Sequence, residues 1–173
     1  RKDILASPIS ISVFVDGKKL EKSESKIERK EKKGNKTALT LQGKLGEIDI
    51  SSDISVEYDG FMWITLKLTT RIPTKIDRLT VDIPMKKEFA TLVNSCDYKL
   101  KGTGALPETG WHKNLKKKPV FWIGNEDVGI QWFAENLKGW CVNDSDHSLE
   151  ITPGKENVLV RLNIVDTPIV LEG

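Results

Sequence analysis

The sequence predicts an all-β fold, a two-sheet antiparallel β-sandwich with little or no helix. Three observations predict it. Apolar residues recur at every second position, the runs that carry them are short, and Gly, Pro, Asn and Asp punctuate them.

Taken in order, Ile9 to Val15 is apolar on odd positions and meets Asp16-Gly17, a hairpin pair. Ala38 to Gly43 reads as another strand. Ile54 to Tyr58 alternates and meets Asp59-Gly60, after which Phe61 to Thr69 follows. Asp59-Gly60 between two such runs predicts a tight hairpin. Ile76 to Ile83 is the next strand, with Ile76, Leu79, Val81 and Ile83 as its apolar set; Pro84 ends it or places it near an edge. Val120 to Gly124 is short and apolar throughout, as in a strand buried on both faces. Val128 to Phe133 follows the turn residues Asn125-Glu126-Asp127. Leu149 to Thr152 and Val158 to Val165 close the set across Pro153-Gly154-Lys155, and the last of them alternates over its whole length.

Two stretches fall outside this pattern. Lys18 to Lys33 is rich in Glu and Lys and has only Leu20 and Ile27 as apolar residues, too few for a docking face. It reads as a solvated hairpin arm or loop. Lys101 to Lys118 is rich in Gly and Pro and ends on Lys116-Lys117-Lys118. Loops of that length are functional or mobile.

The chain has 173 residues, and one domain over 1–173 is expected, as part of a longer multidomain chain. Its 27 basic and 25 acidic residues nearly cancel, which argues against a nucleic-acid partner. No apolar run approaches the roughly 20 residues that span a bilayer, so membrane insertion is not expected. Cys96 and Cys141 leave two readings open, one disulfide or two buried thiols.

Candidate chemistry is sparse. Three of the five tryptophans lie between Trp122 and Trp140. Trp offers an apolar plane and an N–H, the pair of features that suits a sugar ring. Trp122 and Trp132 sit in alternating strands and read as core, with sugar stacking as the second reading of each. Trp111 and Trp140 lie in turn-rich sequence and are the better candidates for exposed platforms, with core as the other reading. Trp111, Trp140 and Trp132 are thus the candidate carbohydrate-binding residues.

Glu126-Asp127 reads as a hairpin connector, because a glycosidase acid and base must flank the bond. Asn143-Asp144-Ser145-Asp146 lacks the Gly and distal Glu of a calcium loop and reads as a polar turn. His112 and His147 have no ligand spacing with the cysteines, and no CxxC is present. No nucleophile elbow or nucleotide fingerprint occurs. No catalytic residue, metal or cofactor is therefore expected within this chain.

Four blocks nevertheless carry a resemblance. They are Val56-Glu57-Tyr58-Asp59-Gly60-Phe61, the run from Ile76 to Pro84, the run from Trp122 to Glu135 with Gly139-Trp140, and Val158 to Val165 with Pro168. In these the chain resembles the N-terminal domain of glycoside hydrolase family 123 proteins, the β-N-acetylgalactosaminidases and their relatives. The third block is the specific one, and the first fifty residues match only by strand pattern.

The resemblance implies a β-sandwich that precedes a catalytic barrel and borders its cleft; a large galactose-mutarotase-like sandwich is one form that the expected fold class includes. The catalytic pair there is an adjacent Asp-Glu in the barrel, and this chain has no Asp-Glu dipeptide. The implied role is non-catalytic, with the downstream barrel and a glycan as partners and a secreted, periplasmic or cell-surface location. An autonomous carbohydrate-binding module and a structural or adhesive surface domain are the alternatives.

Overall fold

The computed structural model describes residues 3–21, 25–96, 103–143 and 147–172, most of them in extended strands. In chain order these are β1 (Ser10–Val15), β2 (Lys18–Lys19), β3 (Lys26–Lys33), β4 (Lys36–Leu45), β5 (Ile48–Glu57), β6 (Met62–Thr69), β7 (Thr74–Ile76) and β8 (Arg78–Lys86). They continue as β9 (Leu92–Asn94), β10 (Gly104–Ala105), β11 (Trp111–Lys113), β12 (Val120–Gly124), β13 (Gly129–Phe133), β14 (Leu149–Pro153), β15 (Asn157–Val165) and β16 (Ile169–Leu171). A 3-10 turn at Lys87–Phe89 is the one helical element among the described residues. The all-β, antiparallel expectation holds.

Within the span expected as one domain, the chain packs as two compact units. One comprises Arg1–Ser12 and Asp77–Pro168, the other Val13–Ile76 and Ile169–Gly173.

The first unit is a sandwich. One sheet has the order β11-β14-β15-β8-β1 and the other β10-β9-β12-β13. Alternation decides which side chains meet between them. Ile83 and Met85 of β8, Val158, Val160 and Leu162 of β15, and Leu149 and Ile151 of β14 come from the first sheet. Val93, Phe121 and Ile123 come from the second. Lys113 of β11 is also buried, and its ammonium donates to the carbonyls of Ser95 and, at 3.0 Å, Val120.

Three details depart from the simple alternating pattern. The expected strand Ile76 to Ile83 is two strands that break at Asp77: Ile76 pairs with Ile169 of β16, whereas β8 pairs with β15. Leu79, Val81, Ile83 and Met85 keep a step of two, and Ile76 stands outside it. Pro84 does not end its strand, because β8 runs through it opposite Leu159. The Pro84 carbonyl accepts the Ala6 N–H at 2.9 Å, so its ring nitrogen faces the same flank. Pairing there is a single Leu5–Met85 bridge, and the missing N–H interrupts no ladder. Finally, a register shift between Asn163 and Val165 resets the alternation of β15 and turns Val165 inward, 1% exposed.

The β12–β13 hairpin is held by Asn125. Its Oδ1 accepts the N–H groups of Asp127 and Val128, each at 3.0 Å, and its Nδ2 donates to Glu88 O at 3.0 Å. Glu126 and Asp127 are the exposed tip of that connector. Asn125→Ala is expected to cost about 1–2 kcal/mol, since two turn amides and one carbonyl lose their partner. Urea unfolding checks this; an unchanged midpoint would show that water replaces the side chain.

The second unit holds the sheet β3-β4-β5-β6 and the pair β7-β16. β1 runs on into this unit, where Val15 pairs with Lys18 of β2. The intervening Asp16 and Gly17 have φ of 49° and 72°, the left-handed pair that a two-residue hairpin requires. The Lys18 to Lys33 stretch thus includes a solvated strand, β3, paired along β4. The hairpin expected at Asp59-Gly60 joins β5 to β6: Glu57 N–H donates to Phe61 O at 2.9 Å, and Asp59 Oδ1 accepts the Phe61 N–H at 3.0 Å.

Candidate functional site

The three tryptophans read from the sequence as sugar contacts all fall in the first unit. Trp111 opens β11 opposite Ile151, on the same side of the strand as buried Lys113, and packs against the core. Trp132 lies opposite Phe121, and the two rings stack with centroids 5.6 Å apart. Trp140 covers Trp132 at 5.8 Å with a tilt of 54°. The structure therefore brings Trp132 and Trp140 together. Among the described residues no ring contact joins Trp111 to them. All three are half-buried and extend the hydrophobic core toward its rim.

Trp122 differs from its reading as core. Phe121 and Ile123 take the inward side of β12, so Trp122 faces outward, between Asn94 and Gln131 of the neighbouring strands. Its indole lies on Gly124 and Gly129, a cross-strand pair. A Cβ at Gly129 would stand 2.8 Å from the ring.

Titratable groups gather on the outer side of the other sheet. Asp82, Arg161, Glu150 and His112 are successive cross-strand neighbours. Arg161 donates Nε and an Nη to the two oxygens of Asp82, both at 2.8 Å. This hydrogen bonding, aided by the charges of Asp82 and Glu150, holds the Arg161 guanidinium above its ordinary range against the opposing effect of burial. Glu150 binds His147 Nδ1 at 3.2 Å through one oxygen and Asn163 Nδ2 at 3.0 Å through the other. The His112 and His147 rings stack 4.6 Å apart.

Among the described residues no group of His, Cys, Asp and Glu is arranged to hold a metal ion. Asp144, Ser145 and Asp146 of the polar loop lie outside the described residues. Cys96 and Cys141 are free thiols.

The second unit holds a groove that the sequence reading did not single out. On one face of its four-stranded sheet the rows are Ala38–Ser55–Trp63 and then Thr40–Asp53–Thr65, with Glu31 opposite Ala38. These residues line a depression of about 270 Å3. Trp63, on edge strand β6, is 40% exposed, and its ring stacks beside Phe61 at 6.4 Å. Thr40 Oγ1 donates to Asp53 Oδ1 at 2.8 Å. The following rows, with Gln42, Ser51 and Lys67, line a second hollow of about 590 Å3.

A sequence signal for the groove exists. Ser51-x-Asp53-x-Ser55 on β5 shares a parity with Phe61-x-Trp63-x-Thr65 on β6. It was masked because Met62 and Ile64 make β6 apolar on both parities, so that neither face stands out.

No curated protein and no solved structure matches the chain. A family model described as glycoside hydrolase 123, third domain, matches residues 1–138. The match takes in the first fifty residues, where the resemblance had rested on strand pattern alone. It also corrects the domain's position, from N-terminal to third. Strand alternation within a single domain holds no record of its place in a longer chain. The chain belongs to the glycoside hydrolase 123 family, as its third domain.

Proposed function

We propose that this chain is a non-catalytic accessory domain of a glycoside hydrolase 123 protein, working beside a catalytic domain of the same parent and exported with it. One observation carries the reading. The acid–base groups gathered on the first unit are engaged with one another: both oxygens of Asp82 bind Arg161, and the two oxygens of Glu150 bind His147 and Asn163. A general acid or base needs its oxygen within reach of the substrate proton. Here the carboxylates serve as cross-strand ties on a sheet face. Family membership supplies the other domains of the parent, on whichever side of this one they lie.

The test is a hydrolysis assay of the 173-residue chain on an aryl N-acetylhexosaminide. No turnover above background is expected. Turnover that Asp82→Asn or Glu150→Gln abolished would overturn the proposal and make this domain a hydrolase in its own right. A second reading, a carbohydrate-binding module, is favoured by the groove at Trp63.

A further inference from the structure

We infer that the apolar face of the β3-β4-β5-β6 sheet docks against another domain of the parent chain, one that presents an apolar patch edged by carboxylates. The inference shares with the proposed function the parent's having other domains, and it does not rest on the lack of catalysis, so the two fail separately.

A sheet with one apolar face needs a second layer over it. Alternation divides the four strands into a polar face, which holds the groove at Trp63, and an apolar one. At one end the apolar face is covered: Leu45 and Ile48 are 2% and 1% exposed. Toward the other end it is open. Leu39, Ile54 and Ile64 form one row across β4, β5 and β6, and Val56 and Met62 stand together in the next. Met62 and Ile64 are 47% and 48% exposed, and Ile27, on the same face of β3 opposite Leu41, is 59% exposed. Single exposed apolar residues are ordinary. Neighbours in adjoining rows of one face form a patch, the mark of an interaction surface.

Size and charge select the occupant. The open part spans three strand spacings and about four residues along each strand, roughly 14 Å by 14 Å, or roughly 200 Å2. A stable complex between separate chains takes about 800 Å2 from each partner. A free partner would therefore bind this patch weakly, whereas a domain of the same chain is held beside it at an effective concentration of about millimolar. On β3 the same face carries Lys30, opposite Leu39, and Lys32, opposite Thr37, both exposed. Glu28 is held by Lys26 at 3.2 Å, and Lys26 is opposite Gln42, on the polar face. Among the described residues of these rows, the apolar face thus has two ammonium groups and no carboxylate. A second copy of the chain would bring like charges together across the interface. Carboxylates at the edge of a partner domain neutralise the pair instead.

Met62 reports on the patch. The chain has two methionines, and the other, Met85, is 0% exposed. The experiment is hydrogen peroxide footprinting, read by mass spectrometry, on the 173-residue chain and on the full parent chain. Met62 is expected to oxidise roughly tenfold more slowly in the parent, with Met85 slow in both. In the parent, Ile64→Asp should restore the rate seen in the 173-residue chain, and so should Lys30→Glu combined with Lys32→Glu. All three positions are exposed, so the variants should keep the fold, which slow oxidation of Met85 checks. Equal Met62 rates in the two chains would overturn the inference. So would protection in the parent that survives either variant. Protection of the 173-residue chain that rises with its own concentration would assign the face to a second copy. Protection by phosphatidylserine-containing vesicles would assign it to a membrane, and either result would overturn the inference too.

Discussion

Phe121→Ala is expected to lower the stability of the first unit by about 4 kcal/mol. Phe121 is 1% exposed and among the largest fully buried side chains. It lies on β12, in the same hydrophobic cluster as Val160, Leu149 and Ile123, and stacks on Trp132 at 5.6 Å. Truncation removes the transfer free energy of the ring and leaves a cavity between two sheets, which cannot collapse without breaking their ladders. The stacked pair with Trp132 is lost as well. Set against the 5–15 kcal/mol by which domains are stable, this is a large fraction. Urea unfolding should give a lower midpoint, and hydrogen exchange should place the loss in amides of β9, β12 and β13. A loss below about 1 kcal/mol would mean that Trp132 swings into the space.

Gly129→Ala is the second large effect, about 3 kcal/mol. The new methyl carbon would stand 2.6 Å from Ile123 O and 2.8 Å from the Trp122 ring. One of those neighbours is backbone within the β12–β13 ladder, so relief requires the strands to part. Replacing Trp122 by Ala in the same protein would remove the ring contact but not the carbonyl contact, and the double variant should stay destabilised. Gly43→Ala is the contrast. The nearest atom there is Ser25 Oγ at 3.0 Å, the end of a side chain that can turn. It should leave stability within about 0.5 kcal/mol of the parent protein. Thermal denaturation of the three variants checks the order, with a fall of about 10 °C expected for Gly129→Ala. Equal effects of Gly43→Ala and Gly129→Ala would show that close approach is not the reason for the glycine.

Local chemistry was legible where it decides structure locally. Asp16-Gly17 and Asp59-Gly60 became the hairpins that their residue types require. Glu126-Asp127 became a turn tip, held by the Asn125 side chain in front of it. Strand edges were less legible. Asp77 breaks what reads as one run, and Pro84, which reads as a stop, is passed through because at that position its nitrogen faces only the isolated Leu5–Met85 bridge.

The candidate site was least legible. Trp111, Trp132 and Trp140 were singled out by density and turn context, yet they pack onto the core rim. Trp63, standing in a strand that opens apolar on both parities, is the more exposed. Exposure depends on what lies across the sheet, and the small Ser55 and Ala38 enter the row of Trp63 only by pairing with β5 and through it β4.

What the sequence by itself determined is the all-β class, the positions of the principal strands and turns, and the family resemblance. Alternation and turn chemistry act within a few residues, so they can be read from the chain alone. Only the tertiary structure decided that the chain packs as two units and that Trp122 faces away from the core. It alone revealed the bulge in β15 and the groove beside Trp63. Each of these depends on which distant strands become neighbours, and pairing of distant strands is set by burial over the whole sheet rather than by local preference.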